Sequence, residues 1–177
     1  RLSYQLYPAM LETLGAQLAR QGLRMIVWDS EHGGDLPASR ALRQGIVDGV
    51  ILTAATRESP FLDDVCSPQA PVVLVNRTVD DYPSDQVSSD NLGGGARVAQ
   101  YLLACGRRRI ALVGGIPRAS TIRHREQGFR DALAAGGVEL PPHYCQRSET
   151  FSHASGQEAA VRLLERRTDG ALAVLGE

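Results

Sequence analysis

Residues 91–115 read NLGGGARVAQYLLACGRRRIALVGG, and this stretch contains one complete helix-to-strand unit. A helix is predicted through Ala96–Leu103, and Gly106 follows as the kind of residue that ends a helix. The next apolar run, Ile110–Val113, has the length and composition of a buried parallel strand. A helix followed directly by such a strand is the repeating unit of α/β proteins.

The same alternation extends along the chain in both directions. Apolar residues at helical spacing predict a first helix that ends near Gly22. Strands are predicted at 23–28, 50–53, 72–75 and 171–175, with helices at 38–44, 61–65, 125–135 and 156–165. We therefore expect an α/β fold in which parallel sheets are flanked by helices on both faces.

Composition excludes several classes of protein. The 177 residues are 43% hydrophobic, which is enough for a packed core, and 19 basic residues balance 20 acidic ones. This stretch alone should therefore not bind DNA strongly. It contains no apolar run long enough to cross a membrane and no signal-peptide order, so we expect a cytoplasmic protein without a membrane partner. The three cysteines and four histidines lack metal-ligand spacing, so neither a metal site nor a cofactor is predicted.

Five ordered blocks lie at residues 45–52, 71–77, 87–115, 120–129 and 151–156, and together they resemble the LacI/GalR family of bacterial transcription regulators. Residues 45–52, GIVDGVIL, are similar to the family's x-V-D-G-I-I, and residues 71–77, PVVLVNR, to its P-V-V-x-x-D-R. Residues 87–115 follow its V-x-x-D-N helix and the strand after it, and residues 120–129, STIRHREQGF, its S-x-x-R-x-R-x-x-G-F/Y. Residues 151–156, FSHASG, are similar to F-x-x-x-S-G. The departures from the family pattern are Asn76 for Asp, Arg107 for His, and Gly176-Glu177 for Asn-Asp.

The resemblance implies a periplasmic-binding-protein-like type I fold, in which two Rossmann-like lobes hold a ligand where their strands end. It assigns residues 1–107 to the N-terminal lobe, without the strand that precedes the first helix in the family. Residues 108–177 would be part of the C-terminal lobe. Family members also carry an N-terminal helix-turn-helix and continue well beyond the position of Glu177. We therefore expect a chain truncated at both ends, with no DNA-binding domain of its own.

Arg125 is the first candidate for binding the effector. In the family the second Arg of R-x-R reaches into the cleft, where a guanidinium can donate two hydrogen bonds to neighbouring ligand oxygens. The alternative is a surface helix Arg paired with an acid such as Glu126. Arg123, two residues earlier, should matter less.

The remaining candidate residues each have a structural alternative. Phe151 could form an apolar wall for a sugar ring or pack in the core. Ser120 and Thr121 could contact ligand or cap a turn, and Asp90 could contact ligand or cap the next helix. Tyr7 stands where family members have an aromatic residue at the start of the first helix, and Glu177 stands where their cleft Asp lies.

The main hypothesis is the effector-sensing core of a LacI-type regulator that acts as a repressor in the family's manner. It would bind a sugar or a derivative, work as a homodimer, and reach operator DNA through the absent helix-turn-helix. The alternative is a periplasmic sugar-binding protein of an ABC importer, which has the same fold. An enzyme is disfavoured, because Gly93-Gly94-Gly95 lacks the order of a dinucleotide fingerprint and instead indicates close packing at a helix start.

Overall fold

A computed structural model describes residues 6–28, 38–64, 71–148, 150, 152–165 and 171–174 of the chain. It contains α1 (Leu6–Arg20), α2 (Ala38–Arg43), β1 (Val50–Leu52), α3 (Pro60–Asp64), β2 (Val72–Val75), β3 (Asp85–Val87), α4 (Asn91–Ala104), β4 (Ile110–Gly114), α5 (Ser120–Ala135), β5 (Cys145–Arg147), α6 (His153–Glu165) and β6 (Ala171–Val174). The predicted α/β order is confirmed.

The strands form two separate parallel sheets. The first has the order β1-β2-β3, and the second has the order β5-β4-β6 with β4 in the centre. In the first sheet Leu52 pairs with Leu74 and Val75 pairs with Val87, so the carboxyl ends of these strands lie side by side. These two sheets are the centres of the two predicted lobes, which we call the first lobe and the second lobe.

Strand β4 is covered by helices on both faces, and all five of its residues are buried. Ile110 and Leu112 pack in one cluster with Phe129 of α5. Ala111 and Val113 point to the opposite face and pack against α6. This alternation fits the period of two residues in a strand and produces a sheet with a core on each side.

Helix α4 packs in the second lobe, although it precedes β4 in the chain. Ala99 belongs to the same buried cluster as Ile110 and Phe129. By its packing, the chain therefore passes from the first lobe to the second between β3 and α4. The predicted boundary at residue 107 instead groups α4 with the first lobe.

The close contact between α4 and α5 depends on two glycines. A Cβ added at Gly95 would overlap the carbonyl oxygen of Arg125, and one added at Gly128 would overlap the carbonyl oxygen of Leu92. The two backbones can approach this closely only because neither position carries a side chain. The interpretation of the Gly93-Gly94-Gly95 run as close packing is confirmed at Gly95.

Two sequence expectations about strands were wrong. The segment 23–28 is not a strand in the described part of the chain, and Leu23, Ile26 and Val27 are 51%, 54% and 51% exposed. An apolar segment becomes a strand only where a neighbouring strand accepts its backbone hydrogen bonds, and no described strand lies beside this one. Strand β3 was missed because Asp85 and Gln86 break the apolar pattern of this short edge strand.

Candidate functional site

Polar residues follow the strand ends of the first lobe. Asn76 comes directly after β2, and Ser88 comes directly after β3. The backbone of Asn76 has a φ of 72°, a left-handed conformation that Asn adopts more readily than most residues. Its N–H donates to the carbonyl of Val87 at 2.8 Å, and its own carbonyl accepts from Ser88 Oγ at 2.9 Å. The carboxyl edge of the first sheet therefore presents an amide and a hydroxyl side by side.

A continuous series of hydrogen bonds connects this edge with α1 and α5. Asn76 Nδ2 donates to Tyr7 Oη at 3.5 Å, which is a long contact. On the other side Asn91 Nδ2 donates to Ser88 Oγ at 3.1 Å, and Arg125 Nε donates to Asn91 Oδ1 at 2.8 Å. We call Tyr7, Asn76, Ser88, Asn91 and Arg125 the polar chain. It joins residues of both lobes along the strand ends, where ligands of such sheets collect.

Two of the predicted site residues, Tyr7 and Arg125, are thus brought together by residues that were not predicted to be in the site. Arg125 is half-buried on the first turns of α5. The acid suggested as its alternative partner, Glu126, instead bonds to two other arginines. Its oxygens accept from Arg130 Nε at 2.9 Å and from Arg147 Nη2 at 2.8 Å.

Burial disfavours the charged form of Arg130, but the hydrogen bonds from its guanidinium to Glu126 and Cys145 outweigh burial and raise the pKa of Arg130. This group of charges connects α5 with β5. These ion pairs are structural, and in them Glu126 bonds to Arg130 and Arg147.

Ser120 links the lobes rather than capping its own helix. Its Oγ accepts a hydrogen bond of 2.8 Å from the backbone N–H of Thr78, in the loop after β2. The residue before α5 is Ala119, which makes no side-chain cap, and the hydroxyl of Ser120 bonds to another segment instead of capping its own turn. Arg123, further along the same face, pairs with Asp80 of that loop at 3.3 Å. The loop after β2 therefore holds α5 at two points. Thr121, beside Ser120, is fully buried.

Asp90 caps α4, as its simpler interpretation predicted. Its Oδ1 accepts from the N–H of Gly93 at 2.8 Å, and its other oxygen lies 3.7 Å from Arg97. The carboxylate oxygens are thereby directed at the helix start. Phe151 and Glu177 lie outside the described residues, so their predicted roles stay predictions.

Sequence reasoning missed Asn76, Ser88 and Asn91. The blocks that carry the resemblance contain all three residues, but a motif does not show which side chains meet. The bond between Asn91 and Arg125 spans 34 positions and exists because α4 and α5 pack together. Asn76 was noted only as a departure from Asp.

The fold and the polar edge between two parallel sheets define a protein of the periplasmic-binding-protein-like class. Residues 3–169 match the family model described as periplasmic binding proteins and sugar binding domain of the LacI family. The chain belongs to this family, which confirms both the predicted family and the predicted type I fold.

Several relatives are transcriptional regulators. The HTH-type transcriptional regulator CelR of Thermobifida fusca is 30% identical over 167 residues, which are 92% of this chain and 48% of that protein. The ribose operon repressor of Escherichia coli K12 is 30% identical over 124 residues, or 70% of this chain and 37% of that protein. The chain spans about half the length of the CelR protein, and these relatives are regulators rather than enzymes.

Solved structures of transcription regulators also match this chain. A complex of the transcriptional regulator CelR with cellobiose matches with a TM-score of 0.79 and 27% identity, covering 95% of this chain and 52% of that one. The transcription regulator CcpA of Lactococcus lactis matches with a TM-score of 0.83 at 19% identity, which shows the fold alone, over 98% of this chain and 64% of that one. None of the helices described in this chain is both long and apolar enough to span a membrane.

Proposed function

We propose that this chain is the effector-binding core of a bacterial LacI-type transcriptional regulator, which binds a sugar or a sugar derivative between its two lobes. The observation that carries the proposal is the polar chain. It places an arginine, two amides and two hydroxyls along the ends of the strands, at the junction of the lobes. A sugar needs such partners, because each hydroxyl that it buries must find a donor or an acceptor.

Arg125 is the proposed principal ligand-binding residue. Its guanidinium has five N–H donors, and the Nη edge can donate two hydrogen bonds to neighbouring sugar hydroxyls. Tyr7 lies at the opposite end of the polar chain and would contact the same ligand from the first lobe. Phe151 and Glu177 are proposed to complete the site with an apolar wall and an acceptor.

Three further residues of the predicted site have positions that favour indirect roles. Ser120 and Thr121 are buried at the start of α5, and the hydroxyl of Ser120 is bonded to the loop after β2. Asp90 is engaged at the start of α4. We propose that they contribute to effector binding by fixing these two helices next to the ligand.

Effector binding would change the closure of the lobes and thereby the spacing of two DNA-binding heads in a homodimer. The operator contacts would come from a helix-turn-helix outside this chain, in a cytoplasmic regulator that acts as a repressor. Support comes from the relatives, which are named as helix-turn-helix regulators and, in one case, as the ribose operon repressor. An importer's sugar-binding protein would share the fold, but the curated relatives point to regulators.

The test is calorimetric titration of the complete protein with cellobiose and with ribose, the sugars named with these relatives. Arg125→Ala should weaken the binding of the preferred sugar about ten- to a hundred-fold, because a charge-assisted hydrogen-bonding group is lost. Arg123→Ala is the matched control, since among the described residues that arginine makes only an exposed ion pair with Asp80, whose loss should disturb α5 little. Circular dichroism checks that each variant is folded.

Two results would contradict the proposal. Wild-type affinity in Arg125→Ala together with weakened binding in Arg123→Ala would mean that the other arginine holds the ligand. An absence of binding by both sugars, and of any thermal shift across a wider sugar collection, would contradict the proposed ligand class.

A further inference from the structure

Asn91 is the buried link of the polar chain, and it stands at the passage between the lobes. It is the first residue of α4 and is 5% exposed. Its Oδ1 accepts from Arg125 Nε at 2.8 Å, while its Nδ2 donates to Ser88 Oγ at 3.1 Å and to the carbonyl of Ser89 at 3.0 Å. Its side chain thus bonds in two directions at once, to α5 and to the end of the first sheet.

These partners fix the orientation of the amide. The carbonyl of Ser89 can only accept a hydrogen bond and Arg125 Nε can only donate one, so each must face the opposite end of the amide. Turning the Asn91 side chain over would place its NH2 group against the N–H of Arg125 and its oxygen against the carbonyl of Ser89. Both contacts would be repulsive, and the observed orientation is therefore the stable one.

The backbone of Arg125 is held by the same helix. One turn after Asn91, Gly95 contacts the carbonyl group of Arg125, and there is no room for a Cβ between them. Helix α4 therefore contacts the arginine at both ends, at its carbonyl through Gly95 and at its guanidinium through Asn91. With its backbone packed on Gly95 and its guanidinium bonded to Asn91, the Arg125 side chain is held at both of its ends and has few rotamers to lose on binding.

We infer that Asn91 is a positioning residue, which holds the guanidinium plane of Arg125 in one orientation relative to the strand ends of the first lobe. A guanidinium is planar, so a bond at Nε sets the direction of the whole donor edge formed by its Nη groups. Asn91 is also bonded to Ser88, so it fixes the direction of this donor edge relative to the first lobe as well as to α5. The functional consequence, a preoriented ligand-binding arginine, rests on the proposed function.

The geometric part is tested without any ligand, by following the Nε–H of Arg125 in ¹H–¹⁵N spectra of the protein. The signal is assigned by its loss in Arg125→Lys, and its exchange with solvent is measured. In Asn91→Ala the exchange should be about ten-fold faster or more, because the hydrogen bond that protects the proton is gone. Asn91→Asp keeps an acceptor for the Nε–H and adds a charge attraction to the guanidinium, which should outweigh the oxygen that it places against the carbonyl of Ser89 and keep the proton protected.

Gln86→Ala is the matched control. Gln86 is also a polar residue of the first lobe with bonds to backbone groups, to the N–H and carbonyl of Val79 and to the carbonyl of Tyr82, but none of its described bonds reaches Arg125. It should lower the melting temperature without changing the exchange of the Arg125 proton.

Unchanged exchange in Asn91→Ala would overturn the inference. So would equal acceleration in Gln86→Ala, which would indicate general loosening, or exchange in Asn91→Asp as fast as in the alanine variant. These outcomes are independent of the sugar titrations. The proposed ligand can therefore fail while the positioning of Arg125 is upheld, and the reverse is also possible.

Discussion

Strand β4 and the segment 23–28 are both short apolar runs that follow a helix, yet one is entirely buried and the other is largely exposed. The helix before each run shows the same contrast. Helix α4 contributes Ala99 to a core cluster, whereas no residue of α1 is buried. The difference teaches that an apolar pattern describes what a segment can bury, while its neighbours determine whether the segment is buried.

The neighbours of the two runs are different. Strand β4 has β5 on one side and β6 on the other, and helices cover both faces. In the first lobe, β1 stands at the edge of the described sheet, and the segment 23–28 forms no described pair with it. Four variants, in order of decreasing effect, test whether this contrast in burial is also a contrast in stability.

The largest effect is expected for Phe129→Ala. Phe129 is fully buried between α4 and β4, and its loss should lower the free energy of unfolding by about 3–5 kcal/mol. Urea denaturation followed by circular dichroism measures the change. A loss below about 1 kcal/mol would mean that this core is not the main source of stability in the second lobe.

Gly95→Ala should come next. The new methyl group overlaps the carbonyl of Arg125 and must push α4 and α5 apart, which we expect to cost about 1–3 kcal/mol. Gly94→Ala is the neighbouring control, because nothing lies within 4 Å of a Cβ there. That variant should gain about 0.5–1 kcal/mol from helix propensity. Equal effects of the two changes in urea melts would contradict the close contact of the helices.

A smaller effect is expected for Ser120→Ala, which removes the acceptor of the Thr78 N–H. The net value of such a hydrogen bond is about 0.5–1.5 kcal/mol. Amide exchange of Thr78 should become faster, since its donor loses its partner. Ser84→Ala, which removes only an exposed bond of 3.4 Å to the next carbonyl, serves for comparison and should leave Thr78 unaffected.

The smallest effect is expected for Ile26→Ser in the exposed segment. A polar residue replaces a side chain that is 54% exposed, so the free energy of unfolding should change by less than about 0.5 kcal/mol. A loss above about 1 kcal/mol in the same urea assay would show that this face is covered in the protein as measured, and the contrast with β4 would then disappear.

The sequence predicted the fold well where the residues of one segment are enough to indicate that the segment is buried. The runs 72–75 and 110–113 are strands because continuous apolar residues suit a sheet that is covered on both faces. It failed at β3, whose polar residues are held by pairing with β2, and at 23–28, whose apolar residues lack such pairing. In both cases the deciding factor is a second segment far along the chain.

The candidate site was predictable to a similar degree. The family resemblance pointed to Arg125 and Tyr7, because a motif marks positions that project toward the strand ends. It did not indicate Asn91, whose importance comes from a helix contact that places its amide against the guanidinium. Asp90 could be interpreted correctly as a cap, since capping is a local interaction that the residues of one helix determine.

The reciprocal glycine contacts between α4 and α5 also bear on how the lobes move. With carbonyl groups seated on Gly95 and Gly128, the two helices cannot slide along each other without colliding, so they should turn as a rigid body. If the lobes close on an effector as proposed, the rotation within this chain would have to be absorbed by the backbone torsions of Ser88, Ser89 and Asp90, which connect β3 with α4.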